Sequence, residues 1–297
     1  MNSVTDLNVA WDLFCKNDCC DLPVEKIERK EIQSMPVASE LYISTKTIIC
    51  YLNTSLDINS IFWKIPILPY YVADNGVLKK EIKLTTNKKE DLEKILKKMD
   101  SIDNVKNHII TNIDNINGRI KFKDVRKISI GLSKKDILTT RAKQKSAFYN
   151  CFVVILRIKH NDVFKEIHIK VFNTGKLEIP GIQDDSLLNK ALDYLVNILS
   201  NTGIENIFVN SNRETVLINS NFNCNYFIDR EKLFTILKYN YNINCSFDSC
   251  SYPGIQSKCY YNKITGKIET SESEDSNSIS FMIFRTGSVL IVGKSEE

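Results

Sequence analysis

Apolar and polar residues alternate with period two over much of the second half of the chain, and one long stretch there switches to helical spacing. Residues 148–158 and 164–172 read as a hairpin and 175–181 as a third strand. From Asp184 and Asp185 onward the period lengthens. Leu187, Leu188, Ala191, Leu192, Leu195, Val196 and Leu199 share one face of a helix that Gly203 ends. Strands are expected at 206–210 and 215–222, a short helix at 229–238 opened by Asp229, and strands at 256–261, 279–284 and 288–292. Nearer the N-terminus, 42–52 (YISTKTIICYL) reads as a strand. Ser55 or Asp57 can cap a short helix from Ile58 to Ile65, which Pro66 and Pro69 stop. Leu92, Ile95, Leu96 and Met99 make 88–99 an amphipathic helix. Residues 1–40 are polar and mixed, and 101–124 are rich in Asn and Asp, with a turn at Asn117-Gly118.

One pattern occurs twice. Phe172-Asn-Thr174-Gly175-Lys-Leu-Glu-Ile179-Pro-Gly181 and Phe284-Arg-Thr286-Gly287-Ser-Val-Leu-Ile291-Val-Gly293 both fit F-x-T-G-x-x-x-I-x-G, at an offset of 284 − 172 = 112. Thr-Gly supplies a tight turn between strand-forming runs. The short helices repeat as well, Asp57-x3-Ile61-Phe62 against Asp229-x3-Leu233-Phe234, at 229 − 57 = 172. Two related halves follow, 41–203 and 204–297, after an N-terminal arm of 1–40. The unequal offsets put about 60 extra residues (172 − 112) into the first half, at about 73–145.

Strand alternation then assigns faces. Ile167, Ile169, Val171, Leu177 and Ile179, with Phe281, Ile283, Val289 and Ile291 in the second copy, belong beneath helices. The opposite face carries Lys170, Phe172, Glu178 and Pro180 in the first copy and Met282, Phe284, Leu290 and Val292 in the second. An apolar open face of that kind calls for a partner. The first copy continues into the 184–201 helix, whereas the second stops at Glu297, so Phe281, Ile283, Val289 and Ile291 are expected to be partly exposed.

Composition narrows the function. The 297 residues are 43% hydrophobic and 26% charged, which is ordinary for a globular chain with an ample core. No run of about 18 apolar residues occurs, so no membrane span and no membrane partner are expected. Nine irregularly spaced cysteines suggest reduced thiols inside a cell, and neither Cys245-x4-Cys250 nor Cys15-x3-Cys19 completes a four-ligand metal set with the three histidines. Net charge is only +4, yet Arg126, Lys127, Lys134, Lys135, Arg141, Lys143 and Lys145 face the single acid Asp136 in their segment, a run able to neutralise phosphates. There are no carboxylates paired at useful spacing, no Ser/His/Asp set and no phosphate-cradling glycine loop. No enzyme activity and no cofactor are expected.

The repeated strands resemble the TATA-binding protein family, which carries I-F-x-S-G-K-x-V-x-T-G where Val171–Gly181 and Ile283–Gly293 stand. Its F-P-G-x-x-Y-R is similar to Tyr252-Pro253-Gly254-Ile-Gln-Ser-Lys258. The resemblance covers about 40–70 and 146–294. The composition and the insertion look most like the divergent members encoded by large nucleocytoplasmic DNA viruses. It implies an α+β fold, a pseudo-twofold saddle with a curved antiparallel sheet and helices on the convex face. It also implies a transcription initiation factor that binds and bends A·T-rich promoter DNA through the minor groove, with RNA polymerase or general transcription factors as partners. The implied setting is intracellular: a viral factory in host cytoplasm, the nucleus or the virion. Family wedge residues correspond to Phe172 and Phe284. Their partners correspond to Tyr252 in the second half, and to the neighbourhood of Cys151, beside Phe148 and Phe152, in the first. Phosphate-contacting arginines correspond to Arg157 and Lys258, and a groove asparagine to Asn219 or Asn221, with its first-half counterpart near Leu41. Lys170, Glu178 and Pro180 depart from the family's apolar positions. A saddle serving as a protein-interaction scaffold in a viral transcription or virion complex is therefore the alternative.

Overall fold

The computed structural model describes residues 36–139, 148–262, 264–269, 271–272 and 276–294. The expected N-terminal arm lies outside these up to residue 35. From Ala38 onward the chain is one compact unit. Among the described residues, no helix is long and apolar enough to cross a membrane.

The fold is α+β, a large curved antiparallel sheet with a few helices. In chain order the strands are β1 (Tyr42–Leu52), β2 (Gly76–Thr86), β3 (Val105–Asp114), β4 (Phe122–Gly131), β5 (Cys151–His160), β6 (Val163–Phe172), β7 (Lys176–Ile182), β8 (Val209–Asn223), β9 (Asn244–Ser246), β10 (Ile255–Asn262), β11 (Lys267–Glu269), β12 (Ser276–Ile283) and β13 (Ser288–Gly293). Their order across the sheet is β11-β10-β12-β13-β8-β1-β7-β6-β5-β2-β4-β3, with β9 also on β10. β1 and β8 pair at the centre. Outward from them run β7, β6, β5 and β2 on one side, and β13, β12, β10 and β9 on the other.

The helices are α1 (Ile58–Lys64), α2 (Lys89–Asp100), α3 (Lys134–Leu138), α4 (Asp185–Ser200) and α5 (Arg230–Thr235), the last continuing into a π-helical turn at Ile236–Asn240. Asp57 caps α1 by accepting from Ser60 N, and Asp229 caps α5 by accepting from Lys232 N.

The turn chemistry recurs at the two offsets seen in the sequence. Leu52 N–H donates to Gly175 O (2.8 Å), and Cys224 N–H to Gly287 O (2.9 Å). Leu56 N–H donates to Asn173 O, and Ile228 N–H to Arg285 O, both at 2.8 Å. Gly175 and Gly287 adopt φ of +82° and +81°. A Cβ on either would lie 2.4 Å from a carbonyl oxygen, that of Thr54 or Tyr226, so both turns need the absent side chain as well as the positive φ.

The core lies between the sheet and helices α1, α2 and α4. Cys50, Leu52, Phe62, Val154, Leu156, Ile169, Val171, Leu177 and Ile179 are all 4% exposed or less there, with Ile128 and Ile130 of β4 in the same cluster. α4 contributes Leu187, Leu188, Ala191, Leu192, Leu195, Ile198 and Leu199, close to the expected stripe. Lys80 of β2 also points into this side. Its Nζ donates to Phe62 O (2.7 Å) and Ile65 O (2.6 Å) at the end of α1. Four residues beyond those carbonyls stand Pro66 and Pro69, which have no N–H to offer, and the lysine supplies the missing donors. Burial without a carboxylate partner pushes the Lys80 ammonium down to about 8.

Several expectations change. The two strands foreseen at 206–210 and 215–222 are one, the 15-residue β8. The described part of the expected 73–145 insertion, residues 73–139, joins the main sheet. β2 pairs with β5, as β9 pairs with β10, and β4 and β3 extend the sheet beyond it. The surplus of the first half therefore begins after β2.

Candidate nucleic-acid interface

Two rows of side chains build the open face of the second half, the face away from the core of helices. Register puts Gln256, Met282, Leu290 and Asn221 side by side across β10, β12, β13 and β8. The next row is Lys258, Ser280, Val292 and Asn219, continued by Thr45 of β1. Met282, Leu290 and Val292 are half-buried. Asn219 Nδ2 donates to Thr45 Oγ1 (3.0 Å). At the end of the rows the Phe284 and Tyr252 rings lie 5.9 Å apart, tilted by 56°. Gly254 lets them approach, since a Cβ there would lie 3.2 Å from each ring. Arg230 of α5 donates to Pro253 O and ties the Tyr252 turn to the helix. Lys258 Nζ sits 5.0 Å above the Tyr260 ring.

The first half differs. Lys170 and Glu178 face each other across β6 and β7 and form an ion pair of 2.5 Å. Lys176 Nζ lies 5.6 Å over the Phe172 ring, and Lys170 Nζ 5.6 Å over Phe148. Further out, Glu81 binds both Lys79 (2.9 Å) and Lys127 (2.8 Å), and Lys79 also binds Asp136 of α3 (2.9 Å). Burial alone would raise the Glu81 carboxyl, but the hydrogen bonds and charges of Lys127 and Lys79 outweigh it and hold the group below its usual range. α3 thus lies against the open face of this half.

Four first-half expectations are corrected. Phe152 is fully buried on the core face, edge-on to Phe62 at 6.3 Å, and is no groove residue. Its parity with Val154 and Leu156 carried that signal. Arg157 is 7% exposed, stacked on Tyr70 and bonded to Val72 O, so its guanidinium is not offered to a duplex on the open face. Register also fixes which first-half position corresponds to Tyr252. Phe172 faces Cys151, whereas Phe284 falls next to Gly254 beyond Ile255, so Tyr149, 75% exposed, is the counterpart of Tyr252. The turn offset of 172 makes Thr47, not Leu41, the counterpart of Asn219.

The basic run at 126–145 also looks different in place. Arg126 is buried on Asp124, Lys127 is paired with Glu81, and Arg141, Lys143 and Lys145 lie outside the described residues. Among the described residues no cluster of three or more His, Cys, Asp or Glu is arranged to hold a metal ion. The helix-side face of the second half is only partly covered. Phe281, Ile283 and Ile291 are half-exposed as expected, Val289 is buried at 4%, and a groove of about 410 Å³ runs beside them.

A TATA-box-binding protein-like protein of Acanthamoeba polyphaga mimivirus is 26% identical over 185 residues, covering 54% of this chain. The chain is similar to that viral TATA-box-binding protein-like protein. It spans about half (48%) of the length of that curated relative. No family model matches the chain. Among solved structures, Methanococcus jannaschii TBP aligns over 87% of this chain and 90% of its own, at 11% identity and a TM-score of 0.39.

Proposed function

We propose that the open face binds and bends A·T-rich promoter DNA through the minor groove, as an early step in transcription initiation. The observation that carries this reading is the half-buried apolar row Met282, Leu290 and Val292, ending in the Phe284–Tyr252 ring pair on a face turned away from the core helices. Apolar side chains give no hydrogen bond to base edges but fit a flattened, widened minor groove. Rings at the edge of the row can enter a base step, trading unstacking for contact area. Asn219 and Asn221 stand near the sheet centre and offer amide donors to the acceptors that every A·T pair presents there. Lys258 supplies a cation for the backbone. RNA polymerase or general transcription factors are the partners this role requires.

The two halves do not contribute equally in this reading. Glu178 would be repelled by phosphate if alone, but Lys170 neutralises it, so the first half contributes a polar, nearly charge-balanced surface beside Phe172 and Tyr149. Bending is therefore driven from the second half. A gel shift against A·T-rich and G·C-rich duplexes, with a minor-groove-binding dye as competitor, tests this. Displacement by the dye and preference for A·T are expected; binding that ignores both contradicts the groove.

One observation favours the protein-scaffold reading: α3 and the Lys79–Glu81–Lys127 network occupy the open face of the first half. Folded protein that binds no duplex at low salt supports it.

A further inference from the structure

β6 and β7 are hydrogen-bonded neighbours for only part of their length. They share the pairs Lys170↔Glu178 and Val171↔Leu177, although β6 begins at Val163 and β7 runs to Ile182. Pro180 has no N–H for the ladder, and the strands part there. The opening is a cleft of about 570 Å³ between Phe164–Ile167 on one wall and Pro180–Ile182 on the other. That is the size of a small-molecule site.

Arg157 lines this cleft and is 7% exposed. Its guanidinium stacks on Tyr70 (4.6 Å) and Phe164 (5.8 Å), and Nη1 donates to Val72 O (2.7 Å). Among the described residues no carboxylate forms an ion pair with it. Glu166 faces it across the β5–β6 register, but accepts instead from the backbone N–H of Lys134 (2.9 and 3.2 Å). A guanidinium has five N–H donors, and a buried charge without a counter-charge is costly. Lys134 and Lys165 line the same cleft, so three cations meet one acid that is already engaged.

We infer that this cleft binds a small organic phosphate of the nucleoside-phosphate class. The phosphoryl group meets the Arg157 fork, a group suited to bidentate contact, with Lys134 and Lys165 elsewhere on the cleft wall. Phe164, Tyr70, Pro180 and Ile182 give the planar part an apolar and aromatic wall. This inference does not depend on the DNA-binding reading.

Isothermal titration of the full chain at low salt, with adenosine monophosphate, inorganic phosphate and adenosine, tests it. The monophosphate is expected to bind, inorganic phosphate more weakly, and adenosine not measurably. Lys134→Ala, at an exposed position, and Lys165→Ala, at a half-buried one, are each expected to weaken binding by roughly tenfold, an ordinary value for a charge-assisted contact. Arg157→Met should abolish binding, with folding checked by thermal melting. Adenosine binding as well as its monophosphate, lysine variants binding like the parent, or no binding by any of the three would overturn the site. Displacement of bound monophosphate by a short duplex would reassign it to the DNA backbone and also overturn it.

Discussion

Phe172 and Phe284 hold the same place in the repeated motif but not the same surroundings. Phe284 has the Tyr252 ring at 5.9 Å and the apolar row behind it, whereas Phe172 has Lys176 above its ring and the Lys170–Glu178 pair alongside. Phe284→Ala is therefore expected to reduce duplex bending more than Phe172→Ala, measured on the same A·T-rich probe. Equal losses would mean that the two halves bend DNA alike. Glu178→Val leaves Lys170 unpaired and facing the duplex. Its removal is expected to tighten binding by roughly 1 kcal/mol, for charges near a protein surface. The pair is itself partly exposed, so the stability cost should stay below about 1 kcal/mol. Titrations at several salt concentrations check both effects, and the gain should shrink as salt rises.

At the scale of elements, β2 shows where the sequence was legible and where it was not. The strands of the repeated motif, α1, α2 and α4 could all be read, because their faces are formed by uniform apolar or capping residues. β2 was missed because Lys79 and Lys80, adjacent and both buried, obscure the alternation. Each is buried for a tertiary reason: Lys79 meets Glu81 and Asp136, and Lys80 ends α1. Neither partner is visible in a local window. β3 and β4 were hidden by their Asn- and Asp-rich setting, although Ile128 and Ile130 reach the main core. Phe148 and Phe152 share the parity of Val154 and Leu156, and what separates them is that β5 begins only at Cys151, so Phe152 is in the strand and Phe148 before it. Lys80 also gives a pH signature. Its folded pKa lies below the unfolded value of 10.5, so between about 8 and 10.5 the unfolded chain binds more protons and stability rises with pH. Lys80→Met should remove that rise, at most about 3 kcal/mol, while costing stability by stranding the α1 carbonyls. Denaturant titrations from pH 7 to 10 test this; parallel curves for the two proteins would contradict it.

On the scale of the whole molecule, the duplicated turns argue for two copies of one strand–helix–sheet unit joined through β1 and β8. If so, Gly175→Ala and Gly287→Ala meet the same obstacle and should destabilise by similar amounts, about 1–3 kcal/mol for a strained backbone. Gly181→Ala, at the same positive φ but with nothing within 4 Å, should cost less. Thermal melting of the three variants compares them directly. On that reading the two copies differ in what they carry among the described residues. One holds the charged open face, the surplus strands and the cover helix α4, and the other the apolar open face. In the proposed function this asymmetric sheet still bends DNA. Energy transfer between dyes at the two ends of an A·T-rich duplex, titrated with the full chain at low salt, tests it most directly. A saturable rise in transfer that Phe284→Ala largely removes is the predicted result. Unchanged transfer at concentrations where the folded protein is bound, or no binding at all, would contradict it.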